Sequence, residues 1–287
     1  MTDRPATDAT TTPGIETWQR GFVESADRTP IGYVRAGSGA PLIMVHGTTA
    51  DHTTFRVVGP RFAARHTVVA VDRRGRRPSG DTPPYAIERE FEDVAALADM
   101  LAAETGTAVD VVGHSFGGRC ALGAATISSR IRRLVLYESA PAPPGASFDR
   151  PEVVERLRRH EAAGEPRELL RVFLADVVGF DAAEIAAFEA APYYRSRLEA
   201  AGTVVRELVA DASDPEGLIG VGRRVRVPLL QLVGGASPPI FARAAAALDA
   251  AIPDGRVVVL PGQKHGAHHG DPDRFVAEVE LFLAADE

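Results

Sequence analysis

Val109-Asp110-Val111-Val112-Gly113-His114-Ser115-Phe116-Gly117-Gly118 is the stretch that decides how this chain folds. Its first half is a β-branched apolar run of strand type, and its second half opens a helical pattern that continues to about 128. The change falls at Ser115, with Gly113 and Gly117 on either side as G-x-S-x-G. A strand-to-helix turn this sharp strains the serine backbone and needs small neighbours. It also holds the hydroxyl at the helix N-terminus, where unpaired N–H groups suit a developing oxyanion. The pattern alone is short enough to occur by chance, and the plain alternative is a capping serine. The strand before it and the helix after it point to a nucleophile.

Working outward, Phe22-Val23 and Ile31 to Val34 suggest an opening hairpin that turns near Asp27 to Pro30. Apolar runs follow at Leu42 to Val45, Thr67 to Val71, Ala108 to Val112, Leu134 to Tyr137, Leu229 to Val233 and Val257 to Leu260. Most lack polar alternation, which predicts cover on both faces. Helical patterns lie between them at about 53–65, 87–104, 116–128, 239–250 and 272–284. The alternation predicts an α/β fold, a mostly parallel sheet of eight strands with helices on both faces.

Residues 144–222 break the rhythm with helix formers punctuated by Pro and Gly, and Pro151, Pro166 and Pro192 are expected to open helices there. The stretch is too long for a crossover and too patterned for a loop. It is expected to form a helical cap over the carboxyl edge of a core made of 16–143 and 223–287, behind a loose tail at 1–15.

A serine nucleophile needs a base, a group to orient the base, and an oxyanion hole. His265 lies just beyond the last strand and is the expected base, with His268 and His269 as competitors. The loop after the penultimate strand, Val233 to Pro238, is the usual place for the acid, yet no Asp or Glu occurs from Leu218 to Leu248. Glu138 ends the strand that follows the nucleophile's helix, 23 residues past Ser115. Adjacent parallel strands bring their carboxyl ends together, so Glu138 is the expected orienting acid, ahead of Asp249 and Asp254. The backbone amides of Phe116 and Thr48 are the expected oxyanion donors, with Gly47 allowing close approach. His114 is expected to pack beside the elbow, Asp72 to bond at a strand end, and the arginines at 223, 224 and 226 to form a solvated surface.

Over about 20–284 the chain resembles the α/β-hydrolase superfamily, most nearly its capped bacterial serine hydrolases of the esterase type. The resemblance rests on His46-Gly47, Asp72-Arg73-Arg74-Gly75, the elbow, and Pro261-Gly262-Gln263-Lys264-His265. Some members, such as the haloalkane dehalogenases, carry the acid after the strand that follows the nucleophile, in keeping with Glu138. Those enzymes and the epoxide hydrolases use an aspartate nucleophile, so Ser115 argues against both activities. Arg77 and Pro78 depart from the small, Gly-rich residues usual there.

The expected activity is cleavage of a carboxylic ester, thioester or lactone through an acyl-enzyme. A mainly apolar pocket is expected from Thr49, Phe148, Phe173, Leu174, Val177, Phe180 and Tyr193. The same scaffold hosts lyases, acyltransferases, cyclases and C–C bond hydrolases, and a non-enzymatic ligand-binding role is a further alternative. No cofactor is expected, and no metal, since no Cys or carboxylate cluster completes a site around His265, His268 and His269. A net charge of −7 argues against general nucleic-acid binding. No apolar run approaches the ~18 residues of a membrane helix. The single cysteine, Cys120, excludes an internal disulfide and fits a reducing cytoplasm, as does a polar N-terminus without a secretory pattern. The oligomeric state is left open.

Overall fold

Strands of Val, Ile and Leu with no polar alternation can hide only if both sheet faces are covered. The computed structural model, which describes residues 14–285 apart from 77, 140, 143–145, 147 and 211–215, has that arrangement. Eight strands form one sheet: β1 (Gln19–Glu24), β2 (Pro30–Ala36), β3 (Ala40–Val45), β4 (His66–Val71), β5 (Val109–His114), β6 (Ile131–Tyr137), β7 (Leu229–Gly234) and β8 (Gly255–Leu260). Their order is β1-β2-β4-β3-β5-β6-β7-β8. β2 pairs antiparallel with β1 and β4, and every later pairing is parallel. Successive residues of a strand face opposite sides. Accordingly Ile43 and Val45 join one apolar cluster, while Leu42 and Met44 join the other.

Twelve α-helices accompany the strands among the described residues. Those outside the insertion are α1 (Gly59–Ala63), α2 (Ile87–Thr105), α3 (Phe116–Ala124), α9 (Gly217–Arg223), α10 (Pro239–Asp249), α11 (Ala267–Gly270) and α12 (Pro272–Leu283). Helices α2 and α3 fill the first cluster, and Phe275 and Phe282 of α12 fill the second. Between β6 and β7 lie α4 (Pro151–Ala162), α5 (Pro166–Phe173), α6 (Ala182–Glu189), α7 (Tyr194–Glu199) and α8 (Val204–Leu208). These pack around their own apolar cluster, which includes Leu157, Leu170, Phe173 and Val204. No described helix is long and apolar enough to cross a membrane.

Several local expectations need correction. The helix expected over 53–65 is broken into a 3-10 turn at His52–Phe55 and the short α1, because Asp51 caps the turn and Pro60 restarts the chain. Pro192 opens no helix: α7 starts at Tyr194, and the unforeseen α6 starts from a capping box between Asp181 and Glu184. Helix α9, expected to end the cap, buries Leu218 and Val221 in the core with Leu248 and Ile252. Ile15, expected at the end of a loose tail, is buried with Trp18 in the second cluster; residues 1–13 lie outside the described residues. Finally, β8 is an edge strand and leaves Val257 and Val259 exposed.

The parallel strands β3, β5, β6, β7 and β8 all finish at one rim of the sheet. The segments leaving that rim carry Ser115, Phe116, Glu138, His265 and Thr48. Rims of this kind are where open α/β sheets bind ligands.

Candidate functional site

Ser115 sits between β5 and α3 with φ 53° and ψ −130°. Backbone of this kind costs roughly 1–3 kcal/mol for a non-glycine residue and persists only when its surroundings enforce it. Here the Ser115 N–H donates to the Tyr137 carbonyl at 2.9 Å. A Cβ on Gly113 would meet Gly118 Cα at 2.4 Å, and one on Gly117 would meet the His46 carbonyl oxygen at 2.2 Å. The elbow therefore exists because both neighbours are glycine. Phe116 is the first residue of α3, so its amide is one of the four with no carbonyl one turn earlier.

Glu138 follows β6 directly, with φ 46°. Its N–H donates to the Leu232 carbonyl at 3.0 Å, which ties the turn to β7. The buried carboxylate accepts from His265 Nδ1 at 2.6 Å through Oε2 and from the Gly234 N–H at 2.8 Å through Oε1. The loop that lacks an acid thus supplies an amide that holds one. With Nδ1–H committed to Glu138, the lone pair of a neutral His265 is on Nε2.

Two residues to which the sequence reading assigned no part in positioning the base fix the His265 loop. His114 Nε2–H donates to the His265 carbonyl at 2.9 Å. The Tyr137 hydroxyl donates to the Lys264 carbonyl and accepts from the Ala267 N–H at 2.9 Å. Each immediately precedes a catalytic candidate, His114 before Ser115 and Tyr137 before Glu138. Burial pushes the His114 imidazole well below its usual pKa, which keeps it neutral. Burial does the same to His268, whose Nε2 lies 3.4 Å from Thr54 Oγ1. His269 is driven down to about 4, first by burial and then by the Arg56 and Arg197 guanidinium groups. Asp249 and Asp254 flank the start of β8, at the opposite end of the sheet from the rim. Asp72 accepts from the N–H and Nδ1 of His52, both at 2.9 Å.

The loop after β3 carries the second oxyanion candidate. His46 Nδ1–H donates to the Gly47 carbonyl at 2.9 Å, and the Arg73 N–H donates to His46 Nε2 at 3.1 Å. A Cβ on Gly47 would lie 2.8 Å from Ser115 Cβ, so this loop runs directly against the elbow. Thr48 and Glu207 line one cavity wall, and Arg197 Nη1 donates to the Thr49 carbonyl at 3.1 Å. Glu207 also pairs with Arg73 at 3.2 Å and with Arg76. Burial would raise its pKa, but the two guanidinium groups outweigh this and hold it at about 2. Arg73 in turn makes a bidentate pair with Glu90 at 2.7 Å and lies over the Phe116 ring. The arginines of the 73–76 loop are thus buried structural cations; Arg77 lies outside the described residues.

Ser115 and His265 open onto two chambers. The larger, about 620 Å3, is lined by Thr48, Thr49, Phe173, Leu174, Phe180 and Tyr193 among others. The smaller, about 50 Å3, is lined by Thr48, Phe116, Glu138, Phe148, Phe173 and Val177 among others. Every pocket residue expected from sequence therefore reaches one chamber or the other. The sequence reading missed Arg197, Phe188 and His269 in the larger and Arg119, Leu208 and Phe241 in the smaller.

Residues 42–278, the span from β3 into α12, match the sequence profile of the alpha/beta hydrolase family. The chain belongs to the alpha/beta hydrolase family. An alpha/beta hydrolase from Sphaerobacter thermophilus DSM 20745 superposes with a TM-score of 0.79 at 32% identity, over 92% of this chain and 100% of that one. The esterase RhEst1 from Rhodococcus sp. ECU1013 superposes with a TM-score of 0.74 at 26% identity, over 93% and 98%. The 2-(acetamidomethylene)succinate hydrolase of Mesorhizobium japonicum is 27% identical over 87% of this chain and 90% of its own length. This alpha/beta hydrolase thus has both esterases and other hydrolases among its relatives.

Proposed function

We propose that the protein is a serine hydrolase that cleaves a carboxylic ester, thioester or lactone of small to medium size through an acyl-enzyme. The observation that carries this reading is the 2.6 Å contact between His265 Nδ1 and Glu138, in a loop pinned by the residues that precede Ser115 and Glu138. In the proposed reaction Nε2 of His265 takes the Ser115 proton as the hydroxyl oxygen attacks the substrate carbonyl. Glu138 holds the imidazole in that tautomer and stabilises the imidazolium. The amides of Phe116 and Thr48 receive the oxyanion, each worth about 2.7–4 kcal/mol in the transition state. His265 then protonates the leaving group, activates water and releases the acid. Helices α4 to α8 act as a cap whose aromatic and aliphatic side chains exclude water from the chambers.

The esterase named among the relatives supports this class of substrate. The test is turnover of p-nitrophenyl acetate and p-nitrophenyl butyrate by the purified protein. Hydrolysis that disappears in Ser115→Ala is the expected result. A Ser115→Ala protein as active as the parent would remove the covalent mechanism.

A further inference from the structure

The larger chamber is apolar over most of its wall, yet Arg197 lies in that wall with only 4% of its surface exposed. Arg197 is the only Lys or Arg among the described residues that line the chamber. No carboxylate among the described residues makes an ion pair with it. Of its five N–H donors, Nη1 is spent on the Thr49 carbonyl, and buried Nε has no partner. The other groups around it, among the described residues, leave its guanidinium without a carboxylate in direct contact. Asp51 is half-buried, which would raise its carboxyl, yet the Arg197 charge holds it below the usual range; it makes no ion pair with the guanidinium, and its Oδ1 accepts from the Thr53 N–H at 2.9 Å. Arg56 and Arg197 both lie against the Tyr193 ring, at 4.4 and 5.2 Å from its centroid, and Arg56 adds positive charge. Arg76 is paired with Glu207, and His269 is neutral at physiological pH. Glu184, the acid in the chamber wall, is paired with Lys264 at 2.7 Å.

A buried guanidinium with an unpartnered donor and no carboxylate in contact is expensive, and an anion in the chamber would complete it. A single bond to a backbone carbonyl accounts for one donor and for none of the charge. We infer that Arg197 is an anion subsite, and that the natural substrate carries a carboxylate in the larger chamber in addition to the carbonyl that is attacked. The guanidinium fork suits a planar carboxylate, and the surrounding apolar wall strengthens the pair. Because Arg197 bonds to Thr49, beside the proposed oxyanion donor Thr48, a carboxylate held there also positions the carbonyl against Ser115. This inference rests on the hydrolase reading for its reaction, but not for its binding.

The test compares 3-acetoxybenzoate with 3-acetoxybenzamide, which match in size and differ by one charge. Binding is measured by titration calorimetry on the Ser115→Ala chain, and kcat/KM on the parent. The expected result is tighter binding of the carboxylate by about tenfold or more, in line with a charge-assisted hydrogen bond. Arg197→Gln in the same background should reduce that preference to within about twofold, and Arg197→Lys should retain part of it. Equal affinities in the Ser115→Ala chain overturn the inference without any further variant. So does a preference that survives undiminished in Arg197→Gln. Equal turnover of both esters without a binding preference would sink the anion subsite and leave the esterase standing. A binding preference without turnover of either ester would do the reverse.

Discussion

Replacing Glu138 by Gln changes one atom of the carboxyl group but reverses its hydrogen-bonding logic. The carboxylate accepts two bonds, from His265 Nδ1 at 2.6 Å and from the Gly234 N–H at 2.8 Å. A glutamine has one oxygen for these two donors. If that oxygen stays with Gly234, its NH2 faces Nδ1 and makes the ring accept there. The proton then moves to Nε2, which can no longer take one from Ser115. If the oxygen turns to His265, two buried N–H groups confront each other at Gly234, a cost of about 1–3 kcal/mol. The first arrangement leaves the fold intact and is the one expected. Its effect on the reaction should approach the loss of about 10^4 in kcat that follows when an orienting acid becomes an amide. That corresponds to about 5.4 kcal/mol of barrier. The assay is p-nitrophenyl acetate hydrolysis by parent and variant at matched folded fraction, verified by circular dichroism and thermal melting. A loss smaller than tenfold, in a folded variant, would refute the assignment of Glu138 and pass the role to another carboxylate.

Other perturbations have distinct signatures. Glu207→Gln removes the charge that Arg73 and Arg76 share, so it should cost about 3–5 kcal/mol of stability in urea denaturation, the scale of a broken buried pair. Gly47→Ala places a Cβ 2.8 Å from Ser115 Cβ, so it should suppress kcat while most of the fold is retained, as read by activity against melting temperature. On the acid side, His114, His268 and His269 have pKa values below 6.5 in the folded chain and near 6.5 when unfolded. The unfolded state binds the extra protons, so this stability is whole above pH 6.5 and is lost as pH falls below it. For His269 the loss runs down to about pH 4. Each such histidine contributes a slope of about 1.4 kcal/mol per pH unit, measurable as a falling denaturation midpoint between pH 6.5 and 4. A midpoint that stays flat across that interval would show these imidazoles to be protonated in the fold.

The strands were legible because buried parallel strands are written as uninterrupted apolar runs, and the elbow because three small or strained positions leave a short pattern. The meeting of Glu138 with His265 was legible by topology, since the residue after β6 must emerge beside the end of β5 and the commoner loop held no acid. The inserted helices were less so. Their starts depend on side-chain caps such as Asp181, while prolines such as Pro192 fit equally well in the turn before a helix. The role of α9 was hidden because Leu218 and Val221 suit either a cap or a core. The burial of Arg73, Arg74 and Arg76 was hidden as well, because their partners Glu90, Asp93 and Glu207 are distant in sequence. Arg197 has the same cause: nothing local marks an arginine that will face a cavity.

In the proposed reaction Ser115, driven by His265, becomes covalently acylated. The most direct measurement is mass spectrometry of the protein quenched during turnover of p-nitrophenyl acetate. An acetyl group is expected on the peptide that contains Ser115, and it should be lost in both Ser115→Ala and His265→Ala. Turnover with no acyl group on Ser115 at any quench time, and with His265→Ala as fast as the parent, would contradict that reaction.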